Sequence, residues 1–81
     1  MKSNNEMGFI VRGVRSLLGM NQGDLADALN ITRSTLCKVE NGDRKWVRID
    51  TVGKALDLFQ TKGVGVYESE DHYVILVNKQ K

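Results

Sequence analysis

Proline is absent from this chain of 81 residues, and cysteine, histidine and tryptophan occur once each. The single cysteine, Cys37, excludes an internal disulfide and a zinc site built from several cysteines. A lone histidine, a lone cysteine and no clustered carboxylates do not assemble a catalytic set, so an enzyme is not expected, and neither is a cofactor or a metal. No stretch approaches the roughly 18 apolar residues of a membrane span. The opening MKSNNEMG is too polar for a signal peptide. The expectation is a soluble cytoplasmic protein without a membrane partner. There is no internal repeat and no low-complexity tract. Net charge is small as well, +2 from twelve basic and ten acidic residues, so the total says little about nucleic acid. A chain of this length forms one small domain with a modest core, which association with a second copy would help to stabilise.

The charges present are unevenly distributed. Arg33, Lys38, Arg44, Lys45 and Arg48 fall within sixteen positions against only Glu40 and Asp43, whereas Glu68, Glu70 and Asp71 form an acidic tip. This pattern suggests one face turned toward phosphates and another turned away. The acidic tip is a candidate surface for a basic protein.

Apolar spacing predicts the elements. Met7, Ile10, Val11, Val14, Leu17 and Leu18 recur at intervals of three and four, a helix over residues 6–18 closed by Gly19. Phe9 lies off that stripe, as a surface aromatic or a contact with another chain. Asn21 caps a second helix over residues 22–29, with Leu25, Ala26 and Leu29 inward. Asn30 suits the left-handed residue at its end. Ile31 plugs the turn, Thr32 caps a third helix, Arg33 to Glu40, and Asn41-Gly42 terminates it. A fourth helix is expected over residues 48–59, with Ile49, Val52, Ala55, Leu56 and Phe59 inward. Gly53 inside it suggests close helix packing. Trp46, in the loop before it, covers the edge of the core.

Beyond Lys62 the composition turns β-branched and aromatic. GVGVYES and HYVILVN predict a β-hairpin with strands near 63–68 and 72–78, and residues 79–81 form a frayed end. Tyr67 and Tyr73 are either a cross-strand pair or dimer contacts. A lone hairpin is marginal in water. The second strand is apolar on both faces, so helices must cover one and a second copy the other, which makes Val66, Tyr73, Ile75 and Val77 the candidate dimerisation residues.

The stretch Asn21 to Gly42 carries the chemistry. On its second helix Leu36, Val39 and Glu40 share one side, while Arg33, Ser34, Cys37, Lys38 and Asn41 line the other. A face of short polar side chains flanked by cations can approach base edges, where arginine and lysine match guanine O6 and N7 and hydroxyls read either kind of base. Thr32, Arg33, Ser34, Cys37 and Lys38 are therefore the candidate base contacts, with Cys37 read as a small residue against a thymine methyl or sugar. Asn21, Gln22, Asn41, Arg44 and Lys45 are the candidate phosphate contacts, Gln22 because a helix N-terminus favours an anion.

These residues resemble the lambda-repressor/Cro-like, or XRE, helix-turn-helix family. The resemblance runs from Val14 to Leu58 through Arg15, Gln22, Leu25-Ala26, Ile31, Thr32, Ser34-Thr35, Glu40-Asn41-Gly42 and Ala55-Leu56. It implies a mainly α, four- to five-helix lambda-repressor-like DNA-binding domain over residues 1–61; the C-terminal β-hairpin over 62–81, expected to serve dimerisation, lies outside the common family core. The resemblance also implies phosphate contact at Gln22, base contact at Arg33, Ser34 and Lys38, and a structural Arg15–Glu40 pair. Double-stranded DNA is the expected partner, bound by a homodimeric repressor of bacterial or phage type at the nucleoid. The hairpin is similar to the C-terminal strands of some antitoxin members, which leaves open a protein partner, a toxin or an antirepressor.

Overall fold

Side-chain caps and left-handed residues define the short helices at the centre of this fold. The computed structural model describes residues 5–79. It contains α1 (Asn5–Leu17), α2 (Gln22–Leu29), α3 (Arg33–Glu40), α4 (Ile49–Thr61), β1 (Val64–Glu68) and β2 (Tyr73–Val77). Gln80 and Lys81, read above as part of a frayed end, lie outside the described residues, as does the polar segment 1–4.

Asn21 Oδ1 accepts the Asp24 N–H at 2.8 Å and opens α2. Asn30 ends it at φ 59°, and the following Ile31 N–H donates to the Ala26 carbonyl at 3.0 Å. Thr32 Oγ1 then accepts the Thr35 N–H at 3.0 Å to open α3. Each cap satisfies a backbone group that the first or last helical turn leaves unpaired. Eight residues are too few for a stable isolated helix, so packing must hold α2 and α3 in place.

One buried cluster does this, joining Val11 and Val14 of α1, Leu25, Ala26 and Leu29 of α2, Leu36 of α3, Ala55 and Phe59 of α4, and Val64 of β1. A second, smaller cluster of Val39, Val47 and Val52 lies beside it, with Met7, Trp46 and Leu56 packed against it. The hairpin is thus continuous with the helical core through Val64. Among the described residues no helix is long and apolar enough to cross a membrane.

Several positions differ from the expectations of the apolar pattern. Leu17 is exposed, because Leu18, four residues after Val14, takes the inward place as α1 ends. Ile49 is 85% exposed. Helix α4 begins there, with Arg48 as its N-cap residue, and Ile49 stands at the rim of a groove lined by Met7, Val47, Val52, Gly53 and Leu56. Gly53 is not a close-packing glycine: a Cβ there would meet nothing within 4 Å. The close approach is instead at Gly8, where a Cβ would overlap the Val39 carbonyl oxygen of α3.

The hairpin is antiparallel, pairing Val64 with Val77, Val66 with Ile75, Tyr67 with Val74 and Glu68 with Tyr73. Cross-strand partners share a face, so Tyr67 and Tyr73 lie on opposite faces and are not a cross-strand pair. Val64, Val66, Tyr73, Ile75 and Val77 share the face that meets the helices. The helices cover only its β1 half. Val66 packs on the core, while Ile75 and Val77 remain 43% and 57% exposed. Tyr67 and Leu76 are exposed on the opposite face.

The two glycines give opposed expectations. Gly8→Ala overpacks the α1–α3 contact and should destabilise by about 1–3 kcal/mol. Gly53→Ala enters open space in a helix interior and should stabilise by up to about 1 kcal/mol. Urea unfolding of the two variants checks both signs.

Candidate nucleic-acid interface

The geometry of the exposed face of α3 follows from what holds its other side. Leu36 and Val39 are buried, and Glu40, in the last turn, is buried with them. An isolated carboxylate there would be costly to desolvate. Arg15 of α1 meets it with two hydrogen bonds, Nε to Oε2 at 2.7 Å and Nη2 to Oε1 at 3.1 Å. The Arg15 and Glu40 side chains are only 16% and 2% exposed. Arg15 Nη1 also donates to the Met20 carbonyl at 2.8 Å, and Gln22 Nε2 donates to Glu40 Oε1 at 3.1 Å. One buried carboxylate therefore ties α1, the α1–α2 turn and the start of α2 to the end of α3.

The outer side of α3 is polar and open. Arg33, Ser34, Cys37 and Lys38 are all exposed on it. Arg33 and Ser34 make no side-chain hydrogen bond or ion pair with a described residue. Thr32 is exposed too, but its hydroxyl is occupied as the cap and donates to Thr35 Oγ1 at 2.9 Å. Asn41, at the far end, is exposed with its amide 3.6 Å from Cys37 Sγ.

The flanks carry the remaining candidates. Gln22 stands half-buried at the start of α2 with one amide N–H directed to Glu40, so the ion-pair network orients its carboxamide. Asn21 is exposed beside it, its oxygen used in capping. Asp24 occupies the same first turn, so any anion bound there shares the helix end with a carboxylate. At the other flank Arg44 and Lys45 are exposed on a turn closed by Trp46 N–H and Val47 N–H, both donating to the Asp43 carbonyl at 2.9 and 3.0 Å. None of Arg33, Lys38, Arg44, Lys45 and Arg48 is ion-paired to a described residue, which leaves this basic stretch available to an external anion.

Two features escape a reading of spacing alone. Lys38 does not simply project from the helix: its Nζ lies 4.5 Å from the centroid of the Trp46 ring. Glu6 of α1 joins Glu68, Glu70 and Asp71 of the hairpin turn around a shallow concavity that also includes Ser69, His72 and Tyr73. The first could be suspected from a lone tryptophan eight residues after a lysine. The second has no local signal.

Two capped helices at a fixed angle, the second presenting a polar outer face, are the arrangement of a helix-turn-helix domain. A family model described as Helix-turn-helix matches residues 11–64, more than half of the chain, and the protein belongs to that family, the XRE or lambda-repressor-like helix-turn-helix proteins. It is a DNA-binding transcriptional regulator. No curated protein and no solved structure matches the chain significantly.

Removing either partner of the buried pair, by Arg15→Ala or Glu40→Ala, should cost about 3–5 kcal/mol. Replacing both by apolar residues, Arg15→Met with Glu40→Leu, should recover much of that loss. A urea-denaturation cycle of the wild type, Arg15→Met, Glu40→Leu and the double variant measures it, and a double-variant loss equal to the sum of the two single losses would contradict the pair's coupling.

Proposed function

We propose that the protein is a homodimeric repressor that inserts α3 of each subunit into the major groove at the two halves of an inverted-repeat operator. The observation that carries this reading is the outer face of α3, where Arg33, Ser34 and Cys37 are exposed on a helix whose inner side is locked by a buried ion pair. Arg33 and Ser34 supply direct base contacts, Cys37 a small apolar one, and Thr32 borders them at the cap. Asn21, Gln22, Asn41, Arg44 and Lys45 hold the phosphates on either side and set the register. Repression follows from occupying a promoter, and the protein resides at the nucleoid in the cytoplasm.

Support for the dimer comes from the hairpin. β2 carries the apolar run YVILV with no charge, proline or bulge, and among the described residues its sheet holds only β1 beside it. An unprotected apolar edge strand is a template for pairing with another strand. A second copy of β2, with Tyr73, Ile75 and Val77 facing their equivalents and Val66 behind them, buries it by a two-fold operation. Dimers of this motif read half-sites about one helical turn apart, roughly 34–36 Å.

A second reading, an antitoxin that also binds a basic toxin, is favoured by the acidic concavity where Glu6 meets the hairpin turn. Co-purification of a stoichiometric basic protein from the native source would favour it.

Selection of random duplex DNA on the purified protein at about 150 mM salt, where nonspecific phosphate binding is weakened, tests the leading reading. A two-fold-symmetric motif is expected, and no enrichment by a folded sample would reject it. On the selected duplex Arg33→Ala should cost about 1–3 kcal/mol and relax preference at one base position, whereas equal loss on random DNA would contradict base contact. Ile75→Lys should give a folded monomer in analytical ultracentrifugation with weakened operator binding. An unchanged dimer mass would exclude β2 as the interface.

A further inference from the structure

Lys38 shares the outer face of α3 with Arg33, Ser34 and Cys37, and its position alone makes it a base contact. The side chain goes elsewhere. Its ammonium lies 4.5 Å from the centroid of the Trp46 ring, on the loop that follows the helix and next in the chain to Arg44 and Lys45. In this docking mode the N-terminal residues of the recognition helix reach base edges. A cation drawn toward the loop after the helix is drawn away from them.

The ring that holds it is itself fixed. Trp46 is half-buried and packs against the cluster of Val39, Val47 and Val52. Its backbone is locked by the N–H bond to the Asp43 carbonyl, and the Asp43 N–H donates to the carbonyl of Lys38 itself at 3.0 Å. The loop and the last turn of α3 are therefore one unit, and the indole that meets Lys38 is part of it. Tryptophan is the strongest aromatic partner for an ammonium. No described carboxylate competes for Lys38 as an ion-pair partner.

Resting on the reading that α3 enters the major groove, the geometry points to Trp46 as a positioning residue that removes Lys38 from base readout and adds it to a phosphate clamp with Arg44 and Lys45. The three cations then grip one backbone strand at the groove wall. Sequence discrimination is left to the N-terminal half of α3, through Arg33 and Ser34, with Cys37 beside them. An ammonium can remain near the ring while donating outward, because it has three donors and the ring occupies only one side.

The test uses the full chain and the duplex selected from random DNA, with a set of single-base substitutions in each half-site. Lys38→Met should weaken binding about tenfold per subunit on every duplex and leave the ranking of bases unchanged, as expected for a lost charge-assisted phosphate contact. The salt dependence, as log affinity against log salt, should become shallower by about 1 per subunit. Trp46→Leu should give the same uniform loss, and Trp46→Phe, which keeps a ring face, should restore most of it. A thermal melt of the Trp46 variants separates unfolding from loss of positioning, and Lys38→Met does not depend on that control. Because Trp46 is the only tryptophan, its emission reports the contact directly and should change in Lys38→Met without DNA.

Loss of preference at one base position in Lys38→Met would overturn the proposal, with α3 still the reading helix. Unchanged Trp46 emission in that variant would overturn it as well. Failure of the wild-type protein to select any sequence would instead reject the groove-binding reading, and this inference with it.

Discussion

A carboxylate in the last turn of a helix stands against the negative end of the helix dipole, and burial removes the water that would otherwise solvate it. Glu40 is in that position. It is tolerated because Arg15 and Gln22 bring three donors to its two oxygens. The requirement runs in both directions: the charge needs the donors, and satisfying it leaves α3 little freedom to rotate or slide. Gly8 adds a steric counterpart, letting α1 lie directly on the Val39 carbonyl one residue before Glu40. The end of α3 is thereby held by an ion pair and by backbone contact. Net stabilisation by such a pair can be small against an apolar substitute, so its contribution here is best understood as orientation.

That constraint reaches the flanks of the interface as well as its centre. Gln22 is aimed by Glu40, so the start of α2 and the outer face of α3 share one reference point. The Asp43 turn is built on the carbonyls of α3, through Gly42 to Val39 and Asp43 to Lys38, which extends the rigid unit to Arg44 and Lys45. The hairpin is less constrained. It is anchored by Val64 and Val66, and most of β2 is left with half-exposed or exposed apolar side chains. A small domain with one tightly organised face and one unsatisfied apolar edge places its stability partly in whatever covers that edge.

Where the chemistry is local, the chain was legible. Asn21, Asn30 and Thr32 act on backbone groups within a few residues, so their roles follow from type and spacing. The inward stripes of α2 and α3 were equally plain, because a 3.6-residue period leaves few alternatives for Leu25, Leu29, Leu36 and Val39. The sequence pattern and the structure differ where a position is decided by a distant element. Gly8 and Gly53 look alike in sequence, and only the path of α3 decides which of them faces a backbone. Ile49 continues the apolar period of α4 correctly but lies where the groove beside α1 stays open. Tyr67 and Tyr73 were separable only once the hairpin register was known, since a one-residue change in register exchanges the faces. At the candidate site, outward-facing residues could be identified from the pattern, but the direction of the long Lys38 side chain could not.

That last distinction bears on how such a small surface discriminates among sequences. Short side chains such as Ser34 and Cys37 read bases only if the helix backbone comes close to the groove floor, and a displacement of about 1 Å would remove their hydrogen-bond and apolar contacts alike. Long cations that need only reach a phosphate tolerate such displacement, whereas an arginine matched to a guanine edge does not. A protein that reads with short residues must therefore be rigid, and one that binds with long cations need not be. Here Arg44 and Lys45 lie on the loop after α3, while Ser34 and Cys37 sit on the helix itself, whose other side is held by a buried ion pair and a glycine contact. The end of α3 that the ion pair and the glycine contact hold is continuous with the outer face whose short side chains tolerate the least displacement.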